Sequence, residues 1–187
     1  PYQFRLDLLE HHPRHRKVLE VAAQAAGYGH DLTNGRALGI AVQESFGSFV
    51  AEVAEVSLNE NRRPVIHKVT CAIDCGWAVN PDTIEAQVES GIIYGLTAAM
   101  YGEITIENGQ VVQGNFPEYE MIRMSTSPEI EVHIIESGAA LGGLGEPATP
   151  PIAAAVTNAI YILTGQRVRN LPIKNHDFPE NPPLARV

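Results

Sequence analysis

Residues 141–160 read LGGLGEPATPPIAAAVTNAI, and this stretch prescribes its own backbone more tightly than any other in the chain. Gly142, Gly143 and Gly145 can adopt φ angles that other residues avoid, and they let another group come close to the main chain. Thr149 is a good N-cap and Pro150 suits a first helical turn, so an apolar helix is expected to start there and end near Gly165. Glu146 is therefore fixed between a glycine run and a helix start. Taken alone, the loop allows two readings: a capped glycine turn whose glutamate faces solvent, or a stiff loop that aims an acid. The glycine amides could also form an anion-binding concavity. The stretch lacks the lysine and Ser/Thr of a phosphate loop.

A second informative stretch is AVNPDTIEAQVESGIIYGLTAAMYG, 78–102. Asn80 can cap a helix whose first position is Pro81 and which runs to about Met100. Gln87, Gly91 and Gly95 are four apart and share one side of that helix, which is nearly bare. Such a face suits either close helix packing or a ligand pressed against the backbone. A buried Gln87 must find partners, since an unsatisfied amide costs about 1–3 kcal/mol.

Elsewhere the chain mixes strands and helices without a regular βαβ rhythm, which points to an α+β fold with mixed sheets and packed helices. A helical lead-in, 1–30, is broken at Pro13 and ends near Gly27 or Gly29. An α/β portion, 31–173, follows with strands expected at 37–45, 48–58 and 64–75. Next come the helix at 81–100 and a hairpin at 102–114 around Asn108-Gly109, a strong short-range turn signal. A strand at 129–137 precedes the glycine loop. The segment 115–128 has no clear period, and 174–187 reads as an extended surface tail.

With 187 residues, the chain can build one good core. Its net charge of -9 argues against nucleic acid and against an anionic membrane surface. No run is apolar enough to span a bilayer. The chain opens Pro-Tyr-Gln-Phe without methionine, which suggests a cut or incomplete subunit and leaves the compartment undetermined. Cys71 and Cys75 lie four apart on an expected strand, roughly 13 Å from one another. Disulfide geometry needs Cα atoms within about 7 Å, so both are expected as buried thiols. His11, His12 and His15 look like a metal tract, but Pro13 interrupts the helix that would align them, and a solvated basic turn is expected. The carboxylates Glu52 and Glu55 would share a strand face only across a bulge, and they suggest no acid–base pair.

Taken together, the two stretches resemble the C-terminal part of the molybdenum-cofactor subunit of the xanthine dehydrogenase family. Within it the chain looks most like the isoquinoline 1-oxidoreductase β-subunit branch, with its aldehyde dehydrogenase-like relatives. The resemblance rests on CAIDCGWAVNPDTIEAQVESGIIYGLTAAMYGEITIENGQVVQGNF, PEIEVHIIES and GGLGEPATPPIAAAVTNAIYILTGQRVRNLPI, and it runs from about Phe4 to Ile173.

The resemblance implies a hydroxylase in which Glu146 of the GEP motif is the general base beside molybdenum. The substrate would be an aldehyde or an N-heterocycle hydroxylated with oxygen from water. Gln87 would hydrogen-bond the pterin, with the bare face at Gly91 and Gly95 making room for it. Gly142, Gly143, Leu144 and Gly145 would bring backbone close to the cofactor, which is molybdopterin or its cytosine dinucleotide. The pterin dithiolene holds the metal, so no protein ligand is implied. The resemblance also implies two partners, the remainder of the molybdenum subunit and a small subunit carrying [2Fe-2S] clusters. Two cysteines cannot hold such a cluster. Alone, the chain would then show no turnover. Two positions depart from the branch: Trp77 stands where an arginine is frequent, and Ser90 where a second glycine is. A non-catalytic scaffold that keeps the fold and docks to a partner is the alternative, and a free-standing anion-binding module is a third.

Overall fold

Three consecutive β-branched, alternating segments form an antiparallel meander: β1 (Arg36–Ser45), β2 (Ser48–Leu58) and β3 (Pro64–Asp74). The computed structural model describes residues 1–30, 32 and 35–178. After β3 the chain crosses through α3 (Pro81–Met100) and returns as β6 (Glu129–Ile134), which lies parallel to β3. The sheet order is β1-β2-β3-β6, a mixed sheet in an α+β arrangement, as the sequence pattern implied.

Helices cover both faces. On one, Val18, Leu19, Ala22 and Ala23 of α2 (Pro13–Ala25) pack with Leu38, Ile40, Phe49, Ala51 and Val53. The short helix α1 (Tyr2–Leu8) adds Leu6 to that cluster. On the other face, α3 and α4 (Pro151–Thr164) enclose Val50, Ala54, Val69, Cys71 and Ile73. The alternation along each strand serves both cores at once, because successive side chains point to opposite faces. Helix α4 lies very close to β1. A Cβ on Gly39 would sit 2.0 Å from the Ala155 carbonyl oxygen and 2.3 Å from the Ala159 nitrogen. The bare backbone at Gly39, facing alanines, sets that spacing.

Several boundaries differ from expectation. Helix α4 begins at Pro151, with Pro150 and not Thr149 in the capping position. The hairpin shrinks to β4 (Ile106–Glu107) and β5 (Gln110–Val111), although Asn108 and Gly109 take the expected positive φ angles of 50° and 79°. Two strands without a covering layer gain little from lengthening. The stretch expected to be a surface tail is anchored, for Phe178 is buried in the α3/α4 core beside Ile173; residues 179–187 lie outside the described residues. The histidine turn is not fully solvated either, because the His15 ring meets Phe49 edge-on at 4.6 Å and burial lowers its pKa. Both cysteines are free and buried, as expected, and burial pushes both thiols up, away from the reactive thiolate.

Sequence reasoning did not anticipate Glu52. It sits in the middle of β2, between Ala41 on β1 and Cys71 on β3, and is fully buried. Neither carboxyl oxygen meets a hydrogen-bond partner among the described residues. Burial raises its pKa well above that of an exposed glutamate, which favours the protonated form in the fold. Glu55 points to the opposite face, where it pairs with Arg36.

The raised pKa fixes the sign of a pH effect. The folded state keeps the Glu52 proton while the unfolded state loses it above about pH 4.5, so stability falls as pH rises from there towards the folded pKa. Glu52→Gln removes this proton linkage. Urea unfolding should therefore show the variant gaining on the wild type by up to about 1.4 kcal/mol per pH unit between pH 5 and 7. A constant difference across that range would mean that Glu52 ionises in the fold.

Candidate active site

The glycine loop is pinned at both ends before it reaches Glu146. Gly142 donates its N–H to the Cys75 carbonyl at 2.9 Å, and Gly143 to the Phe46 carbonyl at 2.8 Å. Ser48 Oγ donates to the Gly143 carbonyl at 2.7 Å. A Cβ on Gly142 would lie 2.3 Å from Ser48 Oγ, and one on Gly143 would lie 2.8 Å from Phe46 Cβ. Both positions are glycine because the β1–β2 turn presses on them. Neither has the positive φ that their residue type allowed. Their amides are bonded within the protein, which removes them from the anion-binding concavity considered above.

The path into the loop is fixed by Asp74 at the end of β3. Arg14 grips its carboxylate twice, Nε to Oδ2 at 2.7 Å and Nη2 to Oδ1 at 2.8 Å. The Gly76 N–H (2.9 Å) and Ser137 Oγ (2.7 Å) also donate to Oδ1. Burial alone would raise the Asp74 pKa, but the Arg14, Ser137 and Gly76 hydrogen bonds outweigh it and hold the group below the usual carboxylate range. Gly76 is at φ +89°, and a Cβ there would meet the Ala140 carbonyl oxygen at 2.4 Å. The segments after β3 and before the glycine loop are thus locked together.

On the far side the loop rests on α3. Asn80 caps that helix by accepting from the Thr83 N–H at 3.1 Å, with Pro81 in its first turn, as expected. The face at Gly91 and Gly95 is not bare. A Cβ on Gly95 would lie 2.3 Å from the Thr149 carbonyl oxygen and 2.5 Å from Ile152 Cγ2, and one on Gly91 would meet Ala148 and Thr149 at 3.3 Å. Of the two readings left open for this face, close packing is the one observed, and the room expected there for a pterin is filled by the start of α4.

Gln87 lies at the edge of this contact. Its Nε2 donates to the Gly145 carbonyl at 2.7 Å, tying α3 to the residue before Glu146. Gly145 differs from the other loop glycines, since a Cβ there would meet nothing within 4 Å. Gln87, Gly145 and Glu146 share a pocket of about 490 Å³ with Ser90, Tyr94, Tyr119, Met121 and Thr149. Gly142 and Leu144 line a separate, smaller hollow with Trp77 and Val79. Another concavity of similar volume, about 480 Å³, lies near Arg5, Tyr161 and Arg167 and has no carboxylate in its wall. The glutamate pocket thus joins an exposed carboxylate, a tethered amide, an open stretch of backbone and two tyrosines. Tyr94, Tyr119 and Met121 were not singled out from the sequence. Tyr119 and Met121 belong to a segment without periodicity, so no local signal marked them.

The family model for a molybdopterin cofactor-binding domain matches residues 14–128. The chain belongs to the molybdopterin cofactor-binding domain family. The match includes Gln87 and stops short of Glu146. The β-subunit of isoquinoline 1-oxidoreductase from Brevundimonas diminuta is 35% identical over 178 residues, which are 93% of this chain and 23% of that protein. The molybdenum-binding subunit of xanthine dehydrogenase from Escherichia coli O157:H7 is 32% identical over 136 residues, 69% of this chain and 17% of that one. Both bear out the resemblance to the xanthine dehydrogenase family. Among solved structures, quinoline 2-oxidoreductase from Pseudomonas putida 86 shares the fold with a TM-score of 0.58 at 22% identity. That likeness covers 62% of this chain and 16% of the other. The chain thus spans less than a quarter of the length of these relatives.

The packing of α3 on the α4 start yields a direct test. Gly95→Ala should force the Thr149–Ile152 turn away and cost about 1–3 kcal/mol in denaturant unfolding. Gly145→Ala, whose Cβ enters open space, should cost less than 1 kcal/mol by the same measurement.

Proposed function

We propose that the chain is one wall of the active site of a molybdenum hydroxylase, with Glu146 as its general base. The observation that supports this reading best is the Gln87–Gly145 tether, which brings the two polar residues singled out from separate sequence motifs to one pocket. A general base must stand within hydrogen-bond reach of the proton it takes. Two pinned glycines upstream and a packed helix start downstream leave Glu146 little freedom to wander from such a position.

The residues fit a pterin on one side only. The Gly91–Gly95 face is filled and the Gly142 and Gly143 amides are committed, so the group would be met by Gln87, the open backbone at Gly145 and Glu146. Gln87 uses one N–H on Gly145, and its other N–H and its carbonyl oxygen are uncommitted among the described residues, suited to the mixed donors and acceptors of a pterin edge. A bound molybdenum–pterin group supplies two-electron oxidising power and the activated oxygen for attack on an electron-poor carbon. Glu146 accepts the proton released in that step, and Tyr94, Tyr119 and Met121 shape the wall beside it. The substrate is an aldehyde or an N-heterocycle, and electrons leave through a separate small subunit with [2Fe-2S] clusters. The rest of the molybdenum subunit completes the site.

Glu146→Gln in the assembled enzyme tests this. Molybdenum and pterin content should match the wild type while kcat falls by about 10²- to 10⁴-fold, the usual contribution of a positioned base. Full activity in that variant removes Glu146 from the chemistry. An assembly without molybdenum or pterin would favour the scaffold reading.

A further inference from the structure

The stretch from 103 to 127 leaves all but one of its large apolar side chains exposed, and we propose that it is an arm on which the remaining polypeptide of the molybdenum-binding subunit docks, closing the open side of the Gln87–Glu146 pocket. This rests on the reading given under Proposed function. Within the arm only Ile122 is buried and Gln113 half-buried. Phe116 is 92% exposed and Met124 96%, and Ile104, Ile106, Val111 and Val112 also face outward. So many exposed apolar side chains within 25 residues are the kind of surface that marks an interface.

The arm is shaped and anchored. Val112 donates to the Thr105 carbonyl at 2.9 Å, Gln113 Oε1 accepts from the Thr105 N–H at 2.8 Å, and Asn115 and Glu118 form a capping box. The Ile122 N–H bonds Thr97 Oγ1 on α3 at 3.3 Å, and Lys174 Nζ bridges Glu103 (3.8 Å) and Glu120 (3.6 Å). Three of the arm's four carboxylates are thereby engaged inside the chain. What remains outward is the apolar side chains together with Glu107 and Arg123, on a backbone held by these local bonds.

The kind of occupant follows from size and place. The relative from Brevundimonas diminuta has more than three quarters of its length outside the stretch shared with this chain. The arm lies within the shared domain except for its last contacts near 174. A predominantly apolar face, here with Glu107 and Arg123 also exposed on it, is that of a permanent interface, as between parts of one subunit, and not that of a transient electron-transfer partner. Tyr119 and Met121 of this arm also wall the glutamate pocket, so a polypeptide lying along the arm would cover it.

The test is co-expression of this chain with the part of the Brevundimonas diminuta β-subunit that lies outside the matched stretch. No molybdenum cofactor is needed, so failure of the catalytic reading and failure of this one are separable. A stoichiometric complex is expected, with Phe116→Asp plus Met124→Asp raising its Kd at least tenfold and Glu60→Gln, on the exposed turn between β2 and β3, leaving it unchanged. The double variant alone should melt as the wild type does, because both side chains are exposed. Three results would overturn the proposal. They are no complex with that polypeptide, a complex indifferent to the double variant, or a homodimer of this chain that the double variant dissociates.

Discussion

Asp74 is the point on which the site depends. A carboxylate this buried is costly to ionise unless its oxygens are fully met by donors, and here they are met from three separate places. Arg14 comes from α2 on one side of the sheet, Gly76 from the segment leaving β3, and Ser137 from the segment leading to the glycine loop. Arg14 reaches further, to the Asp74 carbonyl at 3.2 Å and the Gly47 carbonyl at 3.4 Å, with its guanidinium 4.1 Å over the Phe49 ring. One ion pair thus holds the β1–β2 turn, the end of β3 and the approach to Gly142 in register. A glutamate four residues beyond Gly142 inherits that rigidity.

The glycines of the loop then work by absence of volume, not by unusual dihedral angles. Gly142 and Gly143 admit the β1–β2 turn, Gly91 and Gly95 admit the start of α4, and Gly39 admits α4 itself. Gly39, Gly95 and Gly142 approach main-chain atoms, and Gly91 and Gly143 approach the first atoms of short or anchored side chains, neither of which yields as the end of a long flexible side chain can. The loop is stiff because both of its sides press on main chain. Gly145 is the exception, and it is also the glycine beside the carboxylate.

How much of this was legible in the sequence depended on whether a local pattern existed. The meander, α3 with its Asn80 cap, and the Asn108-Gly109 turn each carry a periodicity or a turn chemistry that acts within a few residues, and they stand close to where the pattern put them. Glu146 and Gln87 were legible as odd residues in prescribed backbone. Their meeting was not, because Gln87 and Gly145 are 58 positions apart and only the fold brings them together. Glu52 was illegible for a different reason. A glutamate on an alternating strand reads as solvent-facing, and only the α4 layer over β2 makes that face interior. Gly91 and Gly95 gave a true signal of close approach while leaving its object open, since a helix and a ligand ask the same thing of a bare face.

Glu52 and the arm are opposite departures from the rule that polar groups face water and apolar groups do not. A buried glutamic acid without hydrogen-bond partners among the described residues costs stability, which the apolar packing of the sheet and α4 around it has to offset. Six large apolar side chains of the arm stand in water with no such layer over them. The packed sheet lies on one side of the glycine loop, and the pocket walled by the arm on the other. Glu146 stands on that boundary. Its backbone is set by the sheet side through Asp74 and the glycines, whereas in the proposed assembly its exposure to water would be set by what lies across Tyr119 and Met121. In that proposal, aim and solvation of the carboxylate are governed by different parts of the assembly.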